Sequence, residues 1–250
     1  MKAVILAAGK GTRMGDLTSA LPKPMLKVHG KPILEHIIEG LVGAGVDGVC
    51  VITGWKAEVI ESYFGDGSQW NTSISYVRQE VQDGTGKAPE LAKEFVGDDS
   101  FILTYGDILV PGETYQEMVS RFSEQAFSGL LTVTEGEDVT KGGINFFDDQ
   151  FCLTRLVEKP SLEQVQALKD EGILRAGDPV YYNAGIYIFQ PCVFEFTAKL
   201  EKSPRDEYEL TDAIQAMVES RLSIAGHVIA GRWVDVRDPS VLAQLEAESV

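Results

Sequence analysis

The stretch that decides the fold is AVILAAGKGTRM, residues 3–14, followed after a polar gap by LPKPM, residues 21–25. Its first six residues are apolar and long enough for one buried strand, which leads directly into a glycine-containing loop. This loop and the segment after it carry three cations, Lys10, Arg13 and Lys23. Glycines let backbone N–H groups approach an oxyanion closely, and cations neutralise charge that amides alone cannot. The stretch therefore predicts a polyphosphate site at the end of the first strand.

A strand followed by a glycine-rich turn also opens an ordinary crossover in an α/β protein, so the glycines alone leave both interpretations open. The cations favour the polyphosphate site. Residues 9–14 lack the third glycine of a dinucleotide fingerprint, and the pattern Gly-x4-Gly-Lys-Ser/Thr occurs nowhere in the chain. A dehydrogenase and a P-loop ATPase are therefore both disfavoured.

The composition favours one large acidic domain. A chain of 250 residues with 44% hydrophobic content can bury a substantial core. The net charge of −16 argues against an extended surface for nucleic acid or for an anionic membrane. An acidic protein that binds a polyphosphate must concentrate its cations locally or recruit a divalent metal, and we expect both.

The cysteines and the apolar runs indicate where in the cell the protein is expected. Cys50, Cys152 and Cys192 are an odd, scattered set, so neither a disulfide framework nor a zinc site is predicted. The chain starts without a charged-then-apolar leader, and no apolar run approaches the roughly 18 residues of a membrane span. We therefore expect a cytoplasmic protein.

Strand and helix patterns alternate along the first half of the chain. The predicted strands are 3–8, 49–53, 74–78, 101–105 and 130–134, and the predicted helices are 31–42, 56–64, 88–95 and 113–125. This alternation predicts an α/β fold with a mostly parallel, Rossmann-like mixed sheet flanked by helices, whose ligands bind beyond the carboxyl ends of the strands.

The pattern changes beyond residue 142, where strands are joined mainly by turns. Strands are predicted at 142–147, 152–157, 181–189 and 222–229, and helices at 162–171, 194–200, 208–220 and 241–248. We interpret the first three of these strands as an extension of the sheet that folds over the ligand.

Five motifs follow one another along the chain. They are the opening stretch, Tyr105-Gly106-Asp107, Val157-Glu158-Lys159-Pro160, Tyr182-Asn183-Ala184-Gly185 and Trp233-Val234-Asp235. In this order and spacing, residues 1 to about 240 resemble the nucleotidyltransferases that make nucleoside-diphosphate sugars. The resemblance implies the nucleotide-diphospho-sugar transferase type of fold. It also implies a single domain, 1–250, with a nucleotide-binding half at about 1–110 and a sugar-binding half at about 111–250.

The reaction implied by the resemblance is attack of a sugar 1-phosphate on the α-phosphorus of a nucleoside triphosphate, with release of pyrophosphate. Arg13 would hold the β- and γ-phosphates, Lys23 would neutralise charge near the reacting centre, and Lys159 would bind the sugar phosphate. The positions that would contact the nucleotide are Leu6, Ala8, Gly9, Gly11, Thr12, Gln79, Gly84 and Thr85. Gln79 offers a donor and an acceptor to a pyrimidine edge, and Gly84 would let main-chain groups reach the base, which favours UTP or dTTP. GTP remains an option, since a purine offers similar contacts.

The resemblance also assigns a metal and the contacts to the sugar. Asp107 and Asp235 would hold one Mg²⁺, which prefers hard oxygen ligands and fills its remaining positions with waters and phosphate oxygens. The alternative for Asp107 is a helix N-cap, and Asp238 competes with Asp235 for the metal, although its place before a proline is more typical of a cap. Sugar hydroxyls would meet Gly143, Glu158 and Asn183.

Two departures from the family pattern border the ligands. Arg237 and Asp238 stand where relatives often carry a small pair such as Gly-Thr, and Gly86-Lys87 replaces small apolar residues. The choice of base and sugar therefore stays open. Two alternatives to a sugar acceptor also remain: transfer to a non-sugar phosphate such as phosphocholine, and a non-catalytic regulatory subunit. A homo-oligomer is one option for assembly.

Overall fold

The computed structural model describes residues 1–175 and 177–248. The strands are β1 Lys2–Ala7, β2 Lys27–Val28, β3 Lys31–Pro32, β4 Val49–Thr53, β5 Ile74–Arg78, β6 Phe101–Tyr105, β7 Ile108–Leu109, β8 Gly129–Thr134, β9 Gly143–Phe147, β10 Leu153–Glu158, β11 Tyr181–Phe189, β12 Ile224–Val228 and β13 Val234–Asp235. The α-helices are α1 Leu17–Ala20, α2 Ile33–Gly43, α3 Ala57–Phe64, α4 Lys93–Val96, α5 Glu113–Glu124, α6 Leu162–Asp170, α7 Val193–Thr197, α8 Leu210–Glu219 and α9 Pro239–Ala247. Within these residues, none of the helices combines the length and the apolar character needed to cross a bilayer.

A nine-stranded mixed sheet forms the centre of the molecule. Its strand order is β10-β9-β11-β6-β1-β4-β5, and β8 pairs with both β11 and β12. The pairs β1–β4, β1–β6 and β4–β5 are parallel, as the β-α-β-α-β alternation predicts. Among the strands that follow, β11 pairs antiparallel with β6, β8 and β9, β10 pairs antiparallel with β9, and β12 pairs parallel with β8. The sequence-based prediction of a mixed, Rossmann-like sheet flanked by helices is therefore confirmed.

Alternate residues of β1 point into two separate core layers. Ala3 and Ile5 pack with α2, whereas Val4 packs with residues of α7 and α8, and all three are fully buried. Cys50 on the neighbouring strand is also fully buried and acts as a small hydrophobe. A strand covered on both faces reads as a continuous apolar run, which explains why this strand is evident in the sequence.

Several elements differ from their sequence-based predictions. The helix predicted at 88–95 is a 3₁₀ segment, Ala88–Ala92, followed by α4, with Pro89 in the first turn. The C-terminal helix begins at Pro239 rather than at 241, because the Asp238 side chain accepts hydrogen bonds from the N–H groups of Ser240 and Val241. Periodicity does not predict the two-residue pairs β2–β3 and β7–β13, since two residues carry no period.

The long strand β11 joins the two parts of the sheet. It pairs with β9 at its start and with β6 further on, and its register with β8 shifts between Asn183 and Tyr187. Gly185 lies in this shift with φ +78°, and a Cβ there would come within 2.7 Å of the Tyr105 ring. The glycine is therefore required by both the backbone and the close packing, and it lies beside the candidate site.

Candidate active site

Two adjoining pockets open near the carboxyl ends of β1 and β6. The first pocket, of about 420 Å³, is lined by the loop after β1, residues 79–88 and the turn after β6. The second pocket, of about 330 Å³, lies among β9, β10, β11 and residues 207–211. The residues that line both pockets mark where they meet: Arg13, Thr85, Tyr105, Asp107 and Glu207.

Every residue that the family resemblance assigns to the site lines one of these pockets. The first is lined by Leu6, Ala8, Gly9, Gly11, Thr12, Arg13, Lys23, Gln79, Gly84, Thr85 and Asp107. The second is lined by Gly143, Glu158, Lys159, Asn183 and Asp235, together with the shared residues. The fold thus brings together positions from 6 to 235, and the individual roles remain predictions.

The loop after β1 is shaped by close backbone packing. Gly11 has φ +64°, and a Cβ at this position would lie 3.0 Å from the Cβ of Lys23. Thr18 Oγ1 donates a hydrogen bond to the carbonyl oxygen of Gly11. In contrast, a Cβ at Gly9 would meet nothing within 4 Å, so its backbone faces open space. The loop is therefore fixed on one side and open toward a ligand on the other.

Two carboxylates converge on one ammonium group at the junction of the pockets. Lys23 Nζ lies 2.5 Å from Asp107 Oδ2 and 3.8 Å from Asp235 Oδ1. Asp107 follows β6, and Asp235 reaches it because β13 pairs antiparallel with β7 and the Val236 N–H donates to the Asp107 carbonyl oxygen. Burial and the neighbouring Asp107 carboxylate raise the pKa of Asp235, while the cation of Lys23 opposes this.

One of the three cations predicted for the polyphosphate site is absent from it. Lys10 lines neither pocket, and its ammonium lies 4.6 Å from the centre of the Trp55 ring, in the geometry of a cation–π contact. Arg237 lines the first pocket instead, with Nη2 3.2 Å from Glu137 Oε2 and Nε 3.7 Å from Asp235 Oδ2. The signal for Arg237 in the sequence is its departure from the small residues common after the second aspartate.

Residues 200–209, between α7 and α8, form a segment that we call the strap. Its Tyr208 N–H donates to the Asp83 carbonyl oxygen at 2.8 Å, and the Gly86 N–H donates to the Tyr208 carbonyl oxygen at 2.7 Å. A Cβ on Gly84, where φ is +119°, would lie 2.4 Å from Tyr208 O. The missing side chain of Gly84 therefore makes room for the strap. A contact between the Gly84 backbone and the base stays a prediction.

The strap links the two pockets. Glu207 lines both of them, and Glu209 lines the second. Gln82, on the loop that pairs with the strap, also lines the first pocket, and its Nε2 donates to the Ala8 carbonyl oxygen at 2.7 Å. Sequence reasoning missed these three residues because the contacts join segments far apart in the chain.

The second pocket is built where β9, β10 and β11 meet. Gly143 pairs with Glu158, and a Cβ on Gly143 would lie 3.3 Å from a Glu158 carboxylate oxygen. Asn183 Oδ1 accepts hydrogen bonds from the Gly185 N–H and the Tyr187 hydroxyl, both at 3.1 Å. These bonds orient the Asn183 side chain through its oxygen and leave its amide N–H groups available as donors at the pocket.

Glu158 has an unusual electrostatic environment. Burial raises the pKa of its carboxyl above the ordinary value of 4.5, the nearby Lys159 ammonium lowers it, and the neighbouring Glu209 raises it. Lys159 Nζ lies 3.4 Å from Glu158 Oε1, and Arg205 bonds Glu209 at 2.8 Å. Sequence reasoning missed Lys141, whose cation also lines this pocket, and Thr211, whose hydroxyl has no partner within the described residues.

The sequence as a whole matches a known family. The family model described as nucleotidyl transferase matches residues 2–248. The chain belongs to the nucleotidyl transferase family. The chain is similar to "Low-salt glycan biosynthesis nucleotidyltransferase Agl11" of Haloferax volcanii, with 35% identity over 96% of this chain and 63% of that protein.

Two further relatives are a protein named as bifunctional and a protein named for its sugar phosphate. "Bifunctional protein GlmU" of Methanocaldococcus jannaschii is 34% identical over 96% of this chain and 52% of its own length. "Glucose-1-phosphate thymidylyltransferase" of Streptomyces griseus is 29% identical over 94% of this chain and 62% of its own length. The chain thus spans about half to five-eighths of the length of these relatives.

Two solved structures share the fold. One is a putative glucose-1-phosphate thymidylyltransferase from Bacillus anthracis in complex with a sucrose, with a TM-score of 0.83, 24% identity and coverage of 99% of this chain and 94% of that chain. The other is UDP-glucose pyrophosphorylase complexed with UDP-glucose, with a TM-score of 0.83, 22% identity and coverage of 98% and 96%. At these identities the likeness confirms the type of fold.

The carboxylate pair fits a magnesium ion. Asp107 and Asp235 are hard oxygen donors held beside one cation, and burial disfavours two uncompensated charges there. Within residues 1–175 and 177–248, no cluster of three or more His, Cys, Asp or Glu offers another metal site. The competing residues have other positions: Asp238 caps α9, and α5 begins after Gly112 rather than after Asp107.

Proposed function

We propose that this nucleotidyl transferase makes a nucleoside-diphosphate sugar from a nucleoside triphosphate and a sugar 1-phosphate, and releases pyrophosphate. The observation that carries the proposal is the junction of two pockets at Arg13, Asp107 and Thr85, with Lys23 and Asp235 beside it. Two substrates placed in these pockets would present their phosphates to the same few charged groups. Positioning and charge neutralisation are the main requirements of phosphoryl chemistry.

In the proposed reaction an oxygen of the sugar phosphate forms a bond to the α-phosphorus. The bond from that phosphorus to the bridging α,β-oxygen breaks, and its electron pair leaves with pyrophosphate. Arg13 and Lys23 are proposed to neutralise the triphosphate, and Lys159 to orient the attacking sugar phosphate. Asp107 and Asp235 would hold Mg²⁺, which when bound supplies positive charge to the phosphate oxygens.

The proposed nucleotides are UTP or dTTP, with GTP as the next candidate. The Gln79 N–H donates to the Thr53 carbonyl oxygen, so its backbone is fixed at the wall of the first pocket. Its side-chain amide then offers a donor and an acceptor to a pyrimidine edge. The names of the thymidylyltransferase relative and of the UDP-glucose complex support a pyrimidine nucleotide.

A sugar is the favoured acceptor, and phosphocholine is the alternative to test. Glu158, Asn183 and the backbone at Gly143 supply acceptors and donors suited to hydroxyl groups. The same pocket contains the rings of Tyr182 and Trp233, and aromatic rings beside carboxylates also bind quaternary ammonium groups. A non-catalytic subunit is disfavoured because every proposed catalytic group lies at the pockets.

The deciding experiment is a pyrophosphate-release matrix that crosses UTP, dTTP, GTP and ATP with several hexose 1-phosphates and with phosphocholine, in the presence of Mg²⁺ and with EDTA. We expect release with a pyrimidine triphosphate and a hexose 1-phosphate only when metal is present. Asp107→Asn and Asp235→Asn should each abolish release while the circular dichroism spectrum is retained. Silence with every pair would favour the regulatory alternative, and full turnover by either variant would refute the proposed metal site.

The remaining parts of the proposal concern the domain organisation, the cellular compartment and the oligomeric state. We propose one catalytic domain, 1–250, whose nucleotide-binding half is about 1–110 and whose sugar-binding half is about 111–250. All three cysteines have free thiols, which supports a cytoplasmic setting, where disulfides are rare. Size-exclusion chromatography with light scattering would distinguish a monomer from a homo-oligomer.

A further inference from the structure

The charge of the first pocket depends on a residue that the family resemblance does not assign. Three cations line this pocket, Arg13, Lys23 and Arg237, and two carboxylates, Asp107 and Glu207, oppose them. Lys23 already pairs with Asp107 at 2.5 Å. A triphosphate carries several negative charges, and without Arg237 the residues lining this pocket would have no net positive charge.

Arg237 is held at the pocket wall by contacts on two sides. Its Nη2 donates a hydrogen bond to Glu137 Oε2 at 3.2 Å, and its Nε lies 3.7 Å from Asp235 Oδ2, which is too far for a hydrogen bond. Its backbone is also fixed, because the Arg237 N–H donates to the Asp235 carbonyl oxygen and Val236 bonds to Asp107. The guanidinium is thus positioned before any ligand enters.

The guanidinium keeps donors for a ligand. It has five N–H groups in a planar fork, and within residues 1–175 and 177–248 its hydrogen bonds to protein involve Nη2 alone. This fork matches two oxygens of a phosphate, and such bidentate contacts are stronger and more directional than those of lysine. The side chain remains 23% exposed, so a ligand in the pocket can reach it.

We propose that Arg237 binds the phosphate chain of the nucleoside triphosphate, as a third cation of the first pocket, and that Glu137 orients it there. This inference rests on the proposed function and deepens it, since it names a residue that would stabilise both the bound triphosphate and the leaving pyrophosphate. Glu137 is the positioning residue, because it holds the guanidinium through Nη2 and leaves the other N–H groups available to a phosphate.

Direct binding tests the proposal without turnover. The dissociation constants of inorganic pyrophosphate, UTP and dTTP are measured by calorimetry for the wild-type chain, Arg237→Gln and Arg237→Lys, with Mg²⁺ and with EDTA. Arg237→Gln should weaken pyrophosphate and triphosphate binding by about tenfold or more, equal to about 1.4 kcal/mol. The dissociation constants of Arg237→Lys should lie between those of the wild type and Arg237→Gln, because lysine keeps the positive charge but lacks the planar, bidentate guanidinium. Uridine, which has no phosphate, should bind all three proteins equally.

Arg232→Gln is the matched control. Arg232 lies five positions earlier, lines neither pocket and pairs with Glu248 at the surface, so the same substitution should leave pyrophosphate binding unchanged. Glu137→Gln keeps the Arg237 cation but weakens the contact that orients it. We expect this variant to bind pyrophosphate more weakly than the wild type and more tightly than Arg237→Gln. Melting temperatures of all variants identify any general loss of folding.

The outcomes separate this inference from the proposed function. Wild-type pyrophosphate and triphosphate affinity in Arg237→Gln overturns the role of Arg237, whatever the turnover. An equal loss in Arg232→Gln also overturns it, because the effect would then come from net charge rather than from the pocket. If the wild-type chain binds pyrophosphate through Arg237 but transfers no nucleotide to any acceptor, the proposed function fails and the site at Arg237 stands.

Discussion

Replacement of Gly84 by alanine should damage both pockets through the strap. A Cβ at this position would lie 2.4 Å from Tyr208 O and 2.6 Å from Tyr208 N, so the two segments must move apart until these contacts exceed 3.0 Å. The φ of +119° costs a residue with a side chain about 1–3 kcal/mol. Weakening the two backbone hydrogen bonds of Tyr208 adds about 0.5–1.5 kcal/mol each. We expect a total loss of about 2–6 kcal/mol in the free energy of unfolding.

Urea unfolding and steady-state kinetics measure the two parts of this prediction. Gly97→Ala is the matched control, since Gly97 also has positive φ, +60°, but a Cβ there would meet nothing within 4 Å. The control should lose only about 1 kcal/mol in the free energy of unfolding, because its sole cost is a side chain on a residue with positive φ. Because the strap carries Glu207 and Glu209, Gly84→Ala should raise the KM for the sugar phosphate as well as for the triphosphate. If Gly84→Ala unfolds like the control and changes only the triphosphate KM, the coupling through the strap is refuted.

Two further predictions concern pH. Burial raises the pKa of the Glu158 carboxyl above its ordinary value of 4.5, so on acidification the group becomes protonated while the pH is still above 4.5. The KM for the sugar phosphate should therefore begin to rise at a pH above 4.5. Glu158→Gln should have a KM higher by about tenfold, and its pH profile should lose the rise that the titration of Glu158 causes. A profile identical to the wild type would contradict the role of Glu158. Burial lowers the pKa of His227 below its ordinary value of 6.5 in the folded chain. The unfolded chain therefore binds the proton more tightly than the folded chain. The free energy of unfolding should fall as the pH drops from 6.5 toward the pKa of the folded state. Urea unfolding of His227→Gln should show a smaller loss over this range, and an unchanged loss would assign the acid sensitivity to other groups.

The strands were the part of the fold that the sequence predicted best. The bounds of β4, β5, β6 and β11 agree with the sequence analysis, because each is a run of strand-forming residues that ends at turn residues or a polar loop. The bounds of several helices differ by one or two residues, as helix ends depend on caps such as Asp238. The alternation of strand and helix was enough to predict the parallel centre of the sheet.

The candidate site was predicted less completely, since it depends on contacts across the whole chain. Asp107 and Asp235 were paired by resemblance alone, and the contact rests on the two-residue pair β7–β13, which has no periodic signal. Lys10 was expected in the pocket because its charge is visible in the sequence, whereas the direction of its side chain toward Trp55 is not. Nor does local sequence show that the strap covers Gly84.

The place of β11 beside β6 has a consequence during protein synthesis. β6 ends at Tyr105 and β11 begins at Tyr181, so the ribosome must add a further 76 residues to reach even the first residue of the partner strand. At about 5–20 residues per second, this takes roughly 4–15 s. During that interval the nascent chain presents an apolar strand edge, Phe101–Tyr105, which can pair with other chains. Slow or interrupted translation between these two strands should therefore favour aggregation more than a pause after Phe189.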